Sequence, residues 1–286
     1  MEAFEILHAR RLERWRQTPR RRMSGPDEAR TLIAQLGLVT LYPVSPEIPN
    51  LFSAFVGNPD TKTDSNWDSP SGEVYTWRWT LGRAEAAFYT ALVRKRPTWI
   101  TWELLPAALR LFGDLRTPDE LVDMRVISQD AYRVARALEE AGGALATGAL
   151  RAASGFPTGK EQRAAYLKAV EELDTRLLLA KVFPPDGAGE DMAHALVATR
   201  FPQHVAAAER LSRADALDQL LSAYLPSAVY VLPIVLAKHL KLPEDELRDG
   251  LERLRERGQV EAGELAGQKG ACYVWRDVAE SSSESA

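Results

Sequence analysis

The chain has 286 residues, 45% of them hydrophobic and 27% charged, which is enough to bury two or three small cores. Its 36 Lys and Arg stand against 40 Asp and Glu, and the formal net charge of -4 excludes a uniformly basic surface. Any contact with nucleic acid must therefore come from a local patch.

The single cysteine, Cys272, excludes an internal disulfide. His8, His194, His204 and His239 lack the short spacings of zinc ligands, so no metal is expected. The N-terminus carries Glu2, Glu5 and Glu13 and no apolar run, unlike a secretory signal. The most apolar stretch, 224–237, is interrupted by Pro226, Ser227 and Pro233 and falls short of the roughly 20 residues of a bilayer span. A cytoplasmic protein without membrane contact is expected.

Between Arg10 and Arg22 lie Arg10, Arg11, Arg14, Arg16, Arg20, Arg21 and Arg22 with one acid, Glu13. This segment reads either as a solvated helix followed by a linker broken at Pro19, or as a phosphate-binding arm ending in Arg20, Arg21 and Arg22. Ala29, Leu32, Ile33 and Leu36 recur at helical spacing between Pro26 and Gly37, which predicts a short core helix. Residues 38–44 read as extended, and 58–72 as a loop.

Trp67, Trp77, Trp79, Trp99 and Trp102, five of the seven tryptophans, fall between 67 and 102. On a strand through 75–79, Trp77 and Trp79 would share one face, either packed in a core or, with Trp67, stacking on a ligand or base. A helix is expected from Arg83, burying Ala87, Phe88, Ala91 and Leu92 and ending at Arg94, Lys95 and Arg96. Those three cations either complement the helix dipole or face phosphate. A further helix is expected over 101–113, and Thr117-Pro118-Asp119-Glu120 has the form of a capping box.

From Ser128 the expected order is a helix to Ala141, a Gly142-Gly143 turn, helices over 147–153 and 160–174, and an extended 177–183. It recurs with helices over 212–224, 232–240 and 243–257, then short strands around a 263–270 loop. That is the order of a winged helix, twice. The fold class is mainly α with small β wings (α+β), in tandem winged-helix domains. The expected division is a basic helix or arm over 1–22, a first winged-helix-like domain with a Trp-rich insertion over 23–124, further winged helices over 125–190 and 191–278, and a disordered Ser/Glu-rich tail over 279–286.

In a DNA-binding winged helix the third helix faces the major groove. Over 160–174, Tyr166, Val170 and Leu173 point inward, leaving Lys160, Arg163 and Lys168 around the small Ala164. Over 243–257, Leu247, Leu251 and Leu254 point inward, and Asp245, Asp249, Glu252 and Glu256 form an acidic stripe that would repel DNA and suits a structural role or a protein partner. In that copy Gln268 and Lys269 offer at most one phosphate contact.

The segments Leu36-Gly37-Leu38-Val39-Thr40-Leu41-Tyr42-Pro43, Pro49-Asn50-Leu51-Phe52, Trp77-Arg78-Trp79, Lys95-Arg96-Pro97-Thr98 and Ser154-Gly155-Phe156 resemble the bacterial winged-helix proteins of the AlkZ/YcaQ type, in particular an AlkZ-related branch. The resemblance runs from about residue 27 to 275. It implies tandem winged helices forming a concave cradle for double-stranded DNA, in a family that includes DNA-repair glycosylases removing alkylated or crosslinked bases. Those enzymes carry Gln-x-Gln or Gln-x-Asp after the Leu-Gly pair, where this chain has Thr40, Leu41 and Tyr42. Base release needs a group that stabilises an oxocarbenium ion and activates water, and Thr and Tyr are poor substitutes. Glu47, Glu103 and above all Asp68, beside Trp67, are the alternative carboxylates.

Three readings follow: a DNA-binding protein that recognises damaged or distorted duplex, an active DNA glycosylase with a relocated carboxylate, and a protein-interaction module using the 243–257 helix. No phosphate-binding loop, dinucleotide motif or Ser-His-Asp arrangement is readable, and no cofactor is expected.

Overall fold

The computed structural model describes residues 4–185, 192–265 and 270–276. The 279–286 tail and the Gln268 and Lys269 part of the last loop lie outside the described residues. The chain divides into two compact units, residues 1–77 with 217–286, and residues 78–216. The N-terminal basic segment belongs to the first unit.

In chain order, the elements begin with α1 (Phe4–Arg14), α2 (Pro26–Leu36), β1 (Leu38–Thr40), α3 (Leu51–Val56) and α4 (Pro70–Arg83). After α4 come β2 (Phe88–Thr90), β3 (Thr98–Ile100), α5 (Leu105–Phe112), α6 (Pro118–Asp123) and α7 (Gln129–Ala141). They are followed by β4 (Leu145–Ala146), α8 (Thr147–Ala153), α9 (Lys160–Asp174), β5 (Leu179–Val182) and β6 (Ala193–Leu196). The remainder comprises α10 (Val197–Arg200), α11 (Pro202–Arg210), α12 (Arg213–Ala228), β7 (Tyr230–Val231), α13 (Pro233–Leu240), α14 (Glu244–Glu256), β8 (Val260–Glu264) and β9 (Ala271–Trp275). The fold is α-rich with small antiparallel sheets.

From α7 to β6 the order is helix, strand, helix, helix, strand, strand, with the sheet in the order β4-β6-β5. From α12 to β9 both the order and the sheet arrangement, β7-β9-β8, are repeated. The run from α2 to β3 shows the same element order a third time. Each boundary has a local cause. Pro26 opens α2 and Gly37 ends it at φ 75. Thr117 and Glu120 close a reciprocal capping box on α6. Ser128 caps α7, which ends at the left-handed Gly142.

Two expectations are overturned. Residues 75–79 are helical within α4, because Ser69 accepts the N–H groups of Ser71 and Gly72 as a cap and Pro70 suits the first turn. Trp77 and Trp79 are then about 200° apart around the axis and serve different neighbours. Trp77 is buried against Phe55, and Trp79 packs edge-on against Phe183. The helix expected from Arg83 is instead the β2–β3 hairpin, where Tyr89 faces Trp99 and Phe88 faces Ile100. Cross-strand pairing of aromatic and β-branched side chains outweighs the helical spacing of the alanines. Arg94 and Lys95 close the hairpin in left-handed conformations, at φ 49 and 60.

Candidate nucleic-acid interface and aromatic cleft

α9 is positioned by Tyr166, Ala169 and Leu173, which enter the core shared with α7 and β5, and by Glu172, which accepts the backbone N–H and hydroxyl of Ser128. Its solvent face carries Lys160, Arg163, Ala164, Leu167 and Lys168, all exposed. Arg151 steadies the approach to the helix by donating to the carbonyls of Pro157 and Gly159. The exposed Arg94, Lys95 and Arg96 lie at the β2–β3 tip, and Lys95 forms an ion pair with Glu171 at the far end of α9. Two basic segments 64 to 74 residues apart in the chain are thus joined, within the second unit, by the Lys95–Glu171 pair.

The basic N-terminal segment does not form a free arm. Arg11 is fully buried and forms a bidentate pair with Glu47, while Trp15, Gln17 and Met23 are also buried. Arg20, Arg21 and Arg22 remain exposed, Arg21 paired with Glu13, and Gly57 at the end of α3 lies against Thr18, Pro19 and Arg22.

In the first unit, Tyr42, Asp64, Ser65, Asn66, Trp67, Ser71, Gly72 and Tyr75 line a cleft of about 230 Å³. Its wall is a loop tied by side-chain to backbone bonds. Asp64 Oδ1 accepts from the Asn66 N–H at 2.9 Å and the Ser69 hydroxyl at 2.6 Å, and Ser71 Oγ accepts the Asp64 N–H at 3.0 Å. Gly72 lets the loop approach α4, since a Cβ there would lie 2.1 Å from the Trp67 carbonyl oxygen. Trp67 meets Tyr75 edge-on at 5.3 Å and is still 65% exposed. Of the stacking candidates, Trp67 alone offers an open ring. Trp77 and Trp79 are core residues, the first donating Nε1 to Glu73 and the second under Arg78 and Phe183.

Thr40 is fully buried, its hydroxyl placed to donate to the carbonyls of Tyr42 and Pro49. Tyr42 reaches the cleft, where its hydroxyl donates to the Ser71 carbonyl at 2.7 Å. Neither hydroxyl proton is directed to a ligand. Glu47 is locked to Arg11, Asp68 is exposed and outside the cleft lining, and Glu103 is exposed in the other unit. The carboxylate in the cleft is Asp64, four residues from the one singled out by adjacency to Trp67. The alternating Asp64, Asn66 and Asp68 pattern, typical of side-chain-capped turns, was the available signal.

The acidic stripe on α14 is less uniform than its sequence suggests. Asp245, Asp249 and Glu256 are exposed, but Glu252 accepts from the Tyr273 hydroxyl and from Arg255, and Arg248 pairs with Glu244. No helix is long and apolar enough to cross a membrane, and no group of three or more His, Cys, Asp or Glu is placed to hold a metal ion, both among the described residues.

The model of a family described as AlkZ related matches residues 23–224. The chain belongs to the AlkZ-related family. A comparison with curated proteins finds no match. Among solved structures, the Streptomyces sahachiroi DNA glycosylase AlkZ is similar over 100% of this chain and 73% of that one, with a TM-score of 0.60 and 14% identity. At that identity the likeness is one of fold. This AlkZ-related chain thus shares its architecture with a glycosylase while carrying different residues at Thr40 and Tyr42 from those the resemblance implies for the family's enzymes.

Proposed function

We propose that this chain is a double-stranded DNA-binding protein, built from tandem winged helices, that recognises damaged or distorted duplex. The observation that carries the reading is the exposed Lys160, Arg163 and Lys168 face of α9, with the Arg94 to Arg96 hairpin tip held at its end through Lys95. A helix bearing cations around a small residue suits a groove flanked by phosphates, and the hairpin tip extends the contact along the backbone. Arg20, Arg21 and Arg22 are further phosphate contacts on the first unit. Membership of the AlkZ-related family and the fold likeness to a DNA glycosylase support the same partner. In this reading the Trp67 ring stacks on a base that has left a weakened duplex, as aromatic side chains do with unstacked bases.

The test is fluorescence anisotropy with intact and abasic-analogue duplexes over a salt series. Wild type binds with a steep salt dependence and favours the abasic analogue. Lys160→Ala/Lys168→Ala lowers the slope of log K against log salt by about 1.8, because each phosphate contact contributes about 0.9. Absence of binding near physiological salt, or an unchanged slope in the double variant, overturns the reading.

A further inference from the structure

We infer that the second unit binds a small aromatic carboxylate, in a pocket of rings and cations between the end of α4, β2, β5 and the α10–α11 junction. The inference goes beyond DNA binding and does not depend on it.

The pocket has a volume of about 100 Å³. Phe88, Trp102 and Phe201 form one group of lining rings, their centres 5.0 to 6.4 Å apart. Tyr89 and Phe183 form another, 5.7 Å apart. Gly82 admits the Phe183 ring, since a Cβ there would lie 2.2 Å from it. Lys181 and Arg200 also line the pocket. Among the described residues, the Lys181 ammonium donates one hydrogen bond, to Asp174 at 2.9 Å, and lies 5.3 Å from the centre of the Tyr89 ring. Arg200 likewise donates one, to Glu85 at 2.9 Å. An ammonium has three N–H groups and a guanidinium five, so both side chains keep donors for a ligand. Glu85 fixes the mouth: it leaves α4 at φ 45, and its carbonyl accepts Trp102 Nε1 at 2.8 Å.

Three features set the class of ligand. The volume is well below the roughly 300 Å³ at which pockets for drug-sized ligands begin, so it suits a single ring and excludes a nucleotide. The lining rings favour a flat apolar body, which packs edge-on or offset against them. Finally, Arg83, Lys181 and Arg200 stand against Glu85 in the lining and Asp174 behind Lys181, an excess of one positive charge among these residues. A monoanion balances that excess, and a carboxylate is satisfied by the in-plane N–H groups of an ammonium and a guanidinium. A phosphate dianion would bring a second charge and leave oxygens facing ring carbon, where nothing repays their lost hydration.

The experiment is saturation-transfer difference NMR on the full chain, following the ring protons of benzoate over a concentration series. Benzamide, its uncharged analogue, is followed in the same way, and inorganic phosphate is added as a competitor. Benzoate is expected to saturate with a Kd of about 1 mM or tighter, within the range for a ligand of its size. Benzamide and phosphate should each bind at least about 10-fold more weakly. Arg200 and Glu85 are exposed side chains, 46% and 65%, so replacing either leaves the fold intact. Arg200→Met is expected to weaken benzoate at least about 5-fold. Glu85→Gln, which releases Arg200 from its counter-charge, is expected to tighten it about 3-fold. Opposite shifts from the two partners of one ion pair would not arise from a general loss of structure. Absence of saturable benzoate binding, benzamide or phosphate binding as tightly as benzoate, or unchanged affinity in Arg200→Met overturns the inference.

Discussion

His194 lies 6% exposed on β6, opposite Lys181 of β5, and its Nδ1 has no hydrogen-bond partner. Burial disfavours the imidazolium, the Lys181 charge disfavours it further, and Asp174 opposes both only in part, so the pKa falls from 6.5 to about 4. Between these values the unfolded chain binds a proton that the folded chain excludes. The stability contributed by neutral His194 is therefore complete above about pH 6.5 and is lost as pH falls toward 4, by an amount on the order of 3 kcal/mol. Urea unfolding of wild type at pH 7, 5.5 and 4.5 will show this decline, and His194→Gln will flatten it. An equal decline in both proteins would assign the acid sensitivity to other groups. The half-buried Lys181 is held in place by Asp174, at 2.9 Å.

At the scale of elements, α4 is where sequence and structure part most. Its two glycines mark close approaches that no periodicity reveals: Gly72 lies under the Trp67 backbone, and Gly82 under the Phe183 ring. Gly72→Ala places a methyl group against backbone that cannot yield like a flexible side chain, so the 64–69 loop must shift. A cost of about 1–3 kcal/mol in urea unfolding is expected, together with loss of the preference for an abasic duplex. Gly148→Ala in α8 is the counterpart, with nothing within 4 Å of the added Cβ, and should be neutral or stabilising by up to about 1 kcal/mol. The pair separates steric need from helix propensity. α2, α5 and α6 to α9 were legible from caps, Gly stops and apolar spacing, all of which act within a few residues. The β2–β3 hairpin was not, because its stability lies in Tyr89 facing Trp99 across the sheet. The basic face of α9 was legible for the same local reason. The cleft was not, since Tyr42, Asp64 and Tyr75 converge only through the fold of a loop.

At the scale of the whole molecule, the first unit is assembled from both ends of the chain, and Arg11 joins them. Its Nε donates to the Ala228 carbonyl across 217 residues of sequence, its Nη1 to the Pro46 carbonyl and Glu47, and its Nη2 to Glu47 and the Tyr230 carbonyl. Its guanidinium also lies 3.6 Å from the centre of the Tyr230 ring, and the Tyr224 hydroxyl donates to the Glu47 carbonyl at 2.5 Å. An arginine read from sequence as part of a basic segment is thus an internal tie, and the 43–49 turn after Tyr42 is anchored by it. A charge this deeply buried is tolerated only with its partner present, so Glu47→Gln, which leaves Arg11 without a counter-charge, should cost about 3–5 kcal/mol. Replacing both groups by apolar side chains, Arg11→Met with Glu47→Leu, removes the desolvation of two ions as well as their attraction and should recover most of that loss. Urea denaturation of the three proteins decides between two origins of the stability. Recovery in the double variant means that the pair is a specificity device within an otherwise apolar junction. A double variant no more stable than Glu47→Gln means that the fan of bonds from Arg11 to the 46, 228 and 230 carbonyls is itself what closes the unit.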